Sequence, residues 1–219
     1  MLILAIDTSH KNGSVCLARG DATTFELVGS AEVDGGMFSA QLVPVIAKLL
    51  AQHQLNKNDL QGIAAAVGPG SFTGLRIGLA AVKAFAEVLH IPVAGVSTLE
   101  AIAFSTNEKN VIAVLDAVRG EFYVGDYSAG ERKNERLCSV DELTSLLNAS
   151  DSAVIASPYV ATEEIAKYAD RNFKLVEHPT AEAIAHLGLK KLSEGHSTQI
   201  DELEANYVRR DEGLFSTTK

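Results

Sequence analysis

"VGPGSFTGLRIG", Val67–Gly78, holds four glycines, one proline and two hydroxyl residues within twelve positions. It joins an apolar run, "GIAAAV" (62–67), to a stretch from Thr73 to His90. In that stretch Leu75, Leu79, Val82, Phe85, Ala86 and Leu89 recur at helical spacing. The unit therefore reads as a buried strand, a glycine turn and a helix. A Walker-type phosphate loop would continue with lysine after Gly74, but Leu75 and Arg76 follow. A dinucleotide fingerprint fails because Gly68, Gly70 and Gly74 are spaced one residue too long. A nucleophile elbow on Ser71 would need glycines at 69 and 73, where Pro69 and Thr73 stand. Two readings stay open: an anion site at the helix N-terminus, and a tight turn for close packing. Gly74 and Gly78, followed by Ala81 and Ala84, form a small-residue face. Each helical glycine costs about 1 kcal/mol relative to alanine, so a close neighbour is expected, within the chain or on a partner.

Upstream, "LILAID" (2–7) reads as a buried strand ending in a carboxylate. Asn12-Gly13 is a hairpin signal, and 14–19 and 23–33 read as the next two strands. The link "DTSHKNGS" resembles a phosphate-facing hairpin, with Asp7 orienting a metal or water. Asp7, Thr8, Ser9, Gly13, Gly68 and Gly70 are thus the candidate, vestigial cofactor contacts. Phe38, Leu42, Val45, Ile46, Leu49 and Leu50 predict a helix that begins or kinks at Pro44. Downstream, 91–96 reads as a strand, and "STLEAIAFS" as a helix capped by Ser97 or Thr98, with Glu100 closing a capping box.

A second unit begins near residue 107. Strands at 111–117, 121–128 and 132–139 are followed by a helix at 140–148 and a strand at 153–157. Two further helices are expected at 161–169 and 180–195. Three strands and then alternating helices and strands, repeated once, predict a mixed sheet with crossover helices in each of two related units, 1–106 and 107–219. The tail from Tyr207 reads as partly mobile.

The formal net charge of -9 argues against this chain alone gripping a nucleic-acid backbone. Its two cysteines, Cys16 and Cys138, make neither a disulfide framework nor a zinc pattern. The six histidines form no H-x-x-x-H or H-E-x-x-H, so no metal ligand and no catalytic residue is assigned. Asp7 arrives too early for a signal-peptide core, no run is long enough to span a membrane, and a cytoplasmic protein is expected.

The ordered blocks "ILAIDTS", "GPGSFTGLRIG", "GVSTLEAIA" and "DAVRGEFY" resemble the bacterial TsaB (YeaZ) family of tRNA threonylcarbamoyladenosine biosynthesis proteins. The resemblance is dense over about 1–127 and returns only at "YVRR" near the end. It implies the actin-like ATPase (ASKHA, ribonuclease H-like) α/β fold, with two lobes each opening on three antiparallel strands and the C-terminal lobe reduced. It implies a non-catalytic scaffold subunit beside TsaD, the catalytic relative. TsaD binds metal and ATP and moves a threonylcarbamoyl group onto an adenosine beside the tRNA anticodon. The ATPase TsaE joins them, and tRNA is met through the complex. Alone, such chains form homodimers through the N-terminal lobe, on a surface like that which meets TsaD. The residues expected there are Leu42, Ile46, Leu49, Phe72, Thr73, Gly74, Arg76, Ile77, Gly78 and Ala81. No cofactor is required by the chain itself, and nucleotide is expected at most at the partner interface. The relative's metal-binding histidine pair has no counterpart on the first helix, where only His53 stands at the far end. Phe38 occupies a position often held by histidine in the family, and Val118 one often held by arginine. The alternatives are an actin-fold ATPase or phosphotransferase working through Asp7 and Asp116, and a glycoprotease-like (M22-type) peptidase.

Overall fold

The computed structural model describes residues 1–150, 153–158, 173–178 and 180–206. The expected helix at 161–169 and the tail from Tyr207 lie outside the described residues. Among the described residues, ten strands form two sheets. In the first, β1 (Leu2–Asp7), β2 (Gly13–Gly20) and β3 (Phe25–Val33) are antiparallel, and β4 (Gly62–Gly68) and β5 (Val93–Ser97) run parallel to β1, in the order β3-β2-β1-β4-β5. The second sheet repeats that order as β8-β7-β6-β9-β10. Its strands are β6 (Asn110–Asp116), β7 (Glu121–Ser128), β8 (Glu131–Ser139), β9 (Val154–Pro158) and β10 (Phe173–Val176). The two lobes thus match strand for strand, β10 being the strand that the sequence reading passed over. This is the expected α/β actin-like architecture.

Both faces of the first sheet are covered, which is why its strands read as unbroken apolar runs. Leu4, Ile6, Val15, Leu17, Ile63 and Ala65 face α1 (Phe38–Gln52) and α2 (Phe72–Leu89). The alternate residues Ile3, Ala5, Cys16, Ala18, Ala64 and Ala66 face another helix, α5 (Ala181–Ser193). Small side chains on that face let α5 lie close, and Gly188 takes this furthest, since a Cβ there would overlap that of Ala64.

Packing crosses the expected boundary between 1–106 and 107–219. Helix α5 comes from the second half of the sequence and covers the first sheet, tied by Ala181 N–H donating to Ser14 Oγ at 2.8 Å. Conversely α3 (Thr98–Phe104) places Leu99, Ile102 and Ala103 against Val111, Ala113 and Tyr127 of the second sheet. Helix α4 (Val140–Ala149) covers that sheet's other face through Leu143 and Leu147. The helices α3 and α5 meet, and the Lys191 ammonium reaches Glu100 Oε2 at 2.7 Å. That pairing corrects one expectation: Ser97 caps α3 by accepting from Leu99 and Glu100 N–H, but the Glu100 carboxylate goes to Lys191 rather than closing a capping box.

Pro44 neither starts nor ends α1, which runs through it. The proline lies on the exposed side of the helix, where the carbonyl of Ala40, deprived of its N–H partner, is open to solvent. Ser71 caps α2 by accepting from Gly74 N–H at 3.3 Å, and His90 ends it in the left-handed conformation. Past α5 the chain returns along β5: Thr198 N–H donates to the Val93 carbonyl at 2.7 Å, Leu203 is buried, and Asn206 N–H reaches the Val67 carbonyl at 2.6 Å. No helix among the described residues is long and apolar enough to cross a membrane.

Candidate functional site

The residues singled out from "DTS" and from the glycine turn meet each other. Asp7 ends β1 with its side chain 2 % exposed, and its Oδ1 accepts from Ser9 N–H at 2.8 Å. Thr8 and Ser9 are equally buried. The turn after β4 folds over them: Ser71 N–H donates to the Ser9 carbonyl at 2.6 Å, and a Cβ on Gly70 would overlap that carbonyl. Gly13 opens β2 against the Phe38 ring and the Asp7 carbonyl, and Gly68 closes β4. An anion cradle needs outward-facing amides. Here the space left by Gly70 is filled by a carbonyl, and the Ser71 and Gly74 amides are already engaged. The vestigial cofactor contacts therefore form a packed knot, closed to a phosphate in this conformation.

The knot carries an electrostatic cost. Burial pushes the Asp7 carboxyl up from 3.8 to about 6, with the Ser9 N–H pulling the other way. A folded-state value above the unfolded one means that the unfolded chain ionises first. Stability is then lost as pH rises from about 4 to 6 and stays lower above that, by about 3 kcal/mol. Asp7→Asn keeps the acceptor to Ser9 and removes the charge. It is expected to raise the urea midpoint at pH 7.5 and to leave it unchanged below pH 4. Equal effects at both pH values would show that Asp7 is not neutralised by folding.

Asp116, at the end of β6, is the topological counterpart of Asp7, and its Oδ1 accepts from Val118 N–H at 2.7 Å. The two carboxylates of the phosphotransferase alternative therefore make the same local turn in different settings, one sealed and one exposed. Val118, Arg119 and Gly120 after it all have positive φ (67°, 61° and 76°), a strained choice for a β-branched residue.

Between the lobes lies a cleft of about 460 Å³. Its first-lobe wall includes Ser9, Lys11 and Ser71, its second-lobe wall Leu115, Asp116, Val118 and Tyr123. His10 and His178, also lining it, stack with ring centroids 3.3 Å apart and planes within 13°. Burial lowers the pKa of both imidazoles, pushing that of His178 down to about 4. Nothing in the sequence signals this pairing, which joins residues far apart in the chain.

The expected interface residues divide. Leu42, Ile46 and Leu49 are buried in the core beneath α1. Gly74 and Gly78 are buried as well. A Cβ on the first would overlap the Thr8 carbonyl, and one on the second the Thr8 hydroxyl. The small-residue face thus finds its close neighbour inside the chain. Phe72, Thr73 and Arg76 are exposed, while Ile77 and Ala81 are half-buried. The Arg76 guanidinium lies 3.6 Å over the Phe72 ring, which presents that aromatic in a fixed pose. Residues missed by the sequence reading extend the surface: Val88 on α2, 67 % exposed, and Met37 and Val43 at α1. Helices α1 and α2 form one layer on the sheet, so these apolar side chains share its outer surface. Exposed phase along a helix that is apolar on most sides is poorly marked in sequence, which is why the sequence points to Leu42 and leaves Val43 unremarked.

His53 stands at the C-terminal cap of α1, its ring against Gly29. No group of three or more His, Cys, Asp or Glu converges on a metal-sized site among the described residues. The donor set therefore does not fit a metal centre on α1, and no chemistry is routed through one.

Residues 36–202 match the TsaD family, described as tRNA N6-adenosine threonylcarbamoyltransferase. The chain is 36 % identical over 129 residues to the tRNA threonylcarbamoyladenosine biosynthesis protein TsaB of Bacillus subtilis, covering 58 % of this chain and 55 % of that one. A TsaB of Haemophilus influenzae aligns over 96 % of this chain and 94 % of its own length at 25 % identity. Among solved structures, YeaZ from Pseudomonas aeruginosa superposes with a TM-score of 0.75 and 25 % identity, over 94 % of this chain and 99 % of that one.

Proposed function

The chain belongs to the TsaD family, tRNA N6-adenosine threonylcarbamoyltransferase, in the branch of the TsaB/YeaZ proteins, and from that premise we propose that it is a non-catalytic subunit of tRNA threonylcarbamoyladenosine biosynthesis. One observation supports a supporting rather than a catalytic part. The "DTS" hairpin and the glycine turn, placed where an actin-like enzyme would hold phosphate, are packed into each other, with Asp7 sealed. What the first lobe presents instead is the apolar outer surface of α1 and α2, with Phe72 under Arg76 at the start of α2 and Val88 exposed near its end. On this reading that surface meets a TsaD homologue, and a second copy of the chain when the homologue is missing. A TsaE homologue and tRNA are met through the resulting assembly, in the cytoplasm. The net charge of -9 accords with tRNA being gripped by another subunit.

The deciding experiment is nucleoside analysis of bulk tRNA from cells depleted of this chain and re-supplied with it. Threonylcarbamoyladenosine is expected to fall on depletion and to return on re-supply. The purified chain by itself is expected to transfer nothing to unmodified tRNA. A normal modification level after depletion would sink the proposal, and transfer by the isolated chain would sink its non-catalytic part.

A further inference from the structure

The cleft between the lobes is unlike the closed knot beside it. At about 460 Å³ it falls within the size range of small-molecule sites. Its walls carry opposite charges: Lys11 on the first lobe and Asp116 on the second, with Leu115, Val118, Tyr123 and Pro158 adding apolar surface. Two buried polar atoms of lining residues, His178 Nδ1 and Ser9 Oγ, make no hydrogen bond of good geometry among the described residues, the Ser9 hydroxyl having only the Asp7 carboxyl beside it. Ser9 is 3 % exposed, so its hydroxyl has no ready solvent partner, and such a group costs stability until something satisfies it. The loop that carries Asp116 into the cleft continues through the strained Val118 and Arg119, and strain of this kind concentrates at ligand clamps.

These features select a ligand chemistry. A polyphosphate would meet the Asp116 carboxylate in the second wall, with no convergent donor set for a metal among the described residues. A purely apolar ligand would leave the hydroxyl, the imidazole and both charges unused. A small zwitterion uses all of them: its carboxylate faces the Lys11 ammonium, the Ser9 hydroxyl and the His178 ring, its ammonium faces Asp116, and a side chain meets the apolar wall. We propose that the interlobe cleft binds a free α-amino acid, with the Lys11–Ser9 wall as the carboxylate subsite and Asp116 as the ammonium subsite. Seating it requires the lobes to part slightly, the ordinary hinge motion of two-lobed folds. The inference does not depend on the role in tRNA modification.

Calorimetric titration of the full-length chain tests it, with the twenty common amino acids, inorganic phosphate and magnesium ATP each titrated separately. At least one amino acid is expected to bind. Its methyl ester and its N-acetyl derivative, each lacking one charge, are expected to bind about tenfold more weakly or worse. Asp116→Asn retains the acceptor to Val118 and should abolish the penalty for N-acetylation. Lys11→Gln, on an exposed side chain, should abolish the penalty for esterification. Unchanged melting temperatures in both variants would show that the fold is intact. Binding of phosphate or ATP in preference to every amino acid would overturn the proposal. So would the absence of binding by all twenty, or binding that ignores both charge deletions.

Discussion

Gly78→Arg is expected to unfold the first lobe rather than to trim its surface. Helix α2 sits on Thr8, and a Cβ at Gly78 would overlap the Thr8 hydroxyl. Thr8 is itself buried, 2 % exposed, and its β-branched side chain has few other rotamers to adopt. Arginine would add both bulk and an unpaired buried charge, each a recognised source of large destabilisation. A loss of at least about 4 kcal/mol is expected. For a chain of this size that lowers the melting temperature by roughly 10 °C or more, with insoluble expression as the extreme outcome. Circular dichroism melts would show it. A variant that melts like the parent and merely fails to self-associate would mean that α2 does not rest on Thr8.

The second large effect belongs to the outer surface of α1 and α2. Phe72→Ala and Val88→Asp, combined, alter side chains that are 47 % and 67 % exposed, so stability should change by less than about 0.5 kcal/mol each. Self-association and capture of a TsaD homologue should both fall, by about thirtyfold or more if Phe72 is an anchor. Sedimentation velocity of the chain alone, and co-elution with the homologue, provide the two readouts. Parental behaviour in both would remove this surface from consideration. Taken with Gly78→Arg, the pair separates two uses of one helix: the inner stripe seats it, and the outer stripe meets a partner.

How much of this was legible follows from the range of the forces involved. The strand–turn–helix unit at 62–89 was readable because periodicity and capping are local: Leu75, Leu79, Val82 and Ala86 define a buried stripe wherever the helix is placed. The glycine stripe announced a close neighbour, but the identity of that neighbour, Thr8, depends on β1 and β4 pairing in parallel across a long stretch of chain. The same limit hid the site. Asp7, Ser9 and Gly70 were each picked out as polar or glycine punctuation, but whether the hairpin faces a ligand or the turn is a tertiary fact. The short β10 carries only Phe173–Val176 and owes its place to β9. Helix α5 was recognised as a helix, but its apolar face of Ala181, Ile184, Ala185 and Leu189 says nothing about which sheet it will cover.

The exchange of α3 and α5 between the lobes bears on how the chain reaches this state. Cys16 and Ser14 contact Ala181, a separation of more than 160 residues, and pairings that distant slow folding. As the chain leaves the ribosome, the first sheet can acquire α1 and α2 early. Its opposite face, lined by Ile3, Ala5, Cys16, Ala18 and Ala64, waits for a helix made more than 160 residues after Cys16. Until then the nascent protein displays an apolar surface that invites chaperones or aggregation. Neither half, expressed by itself, would own a complete interior.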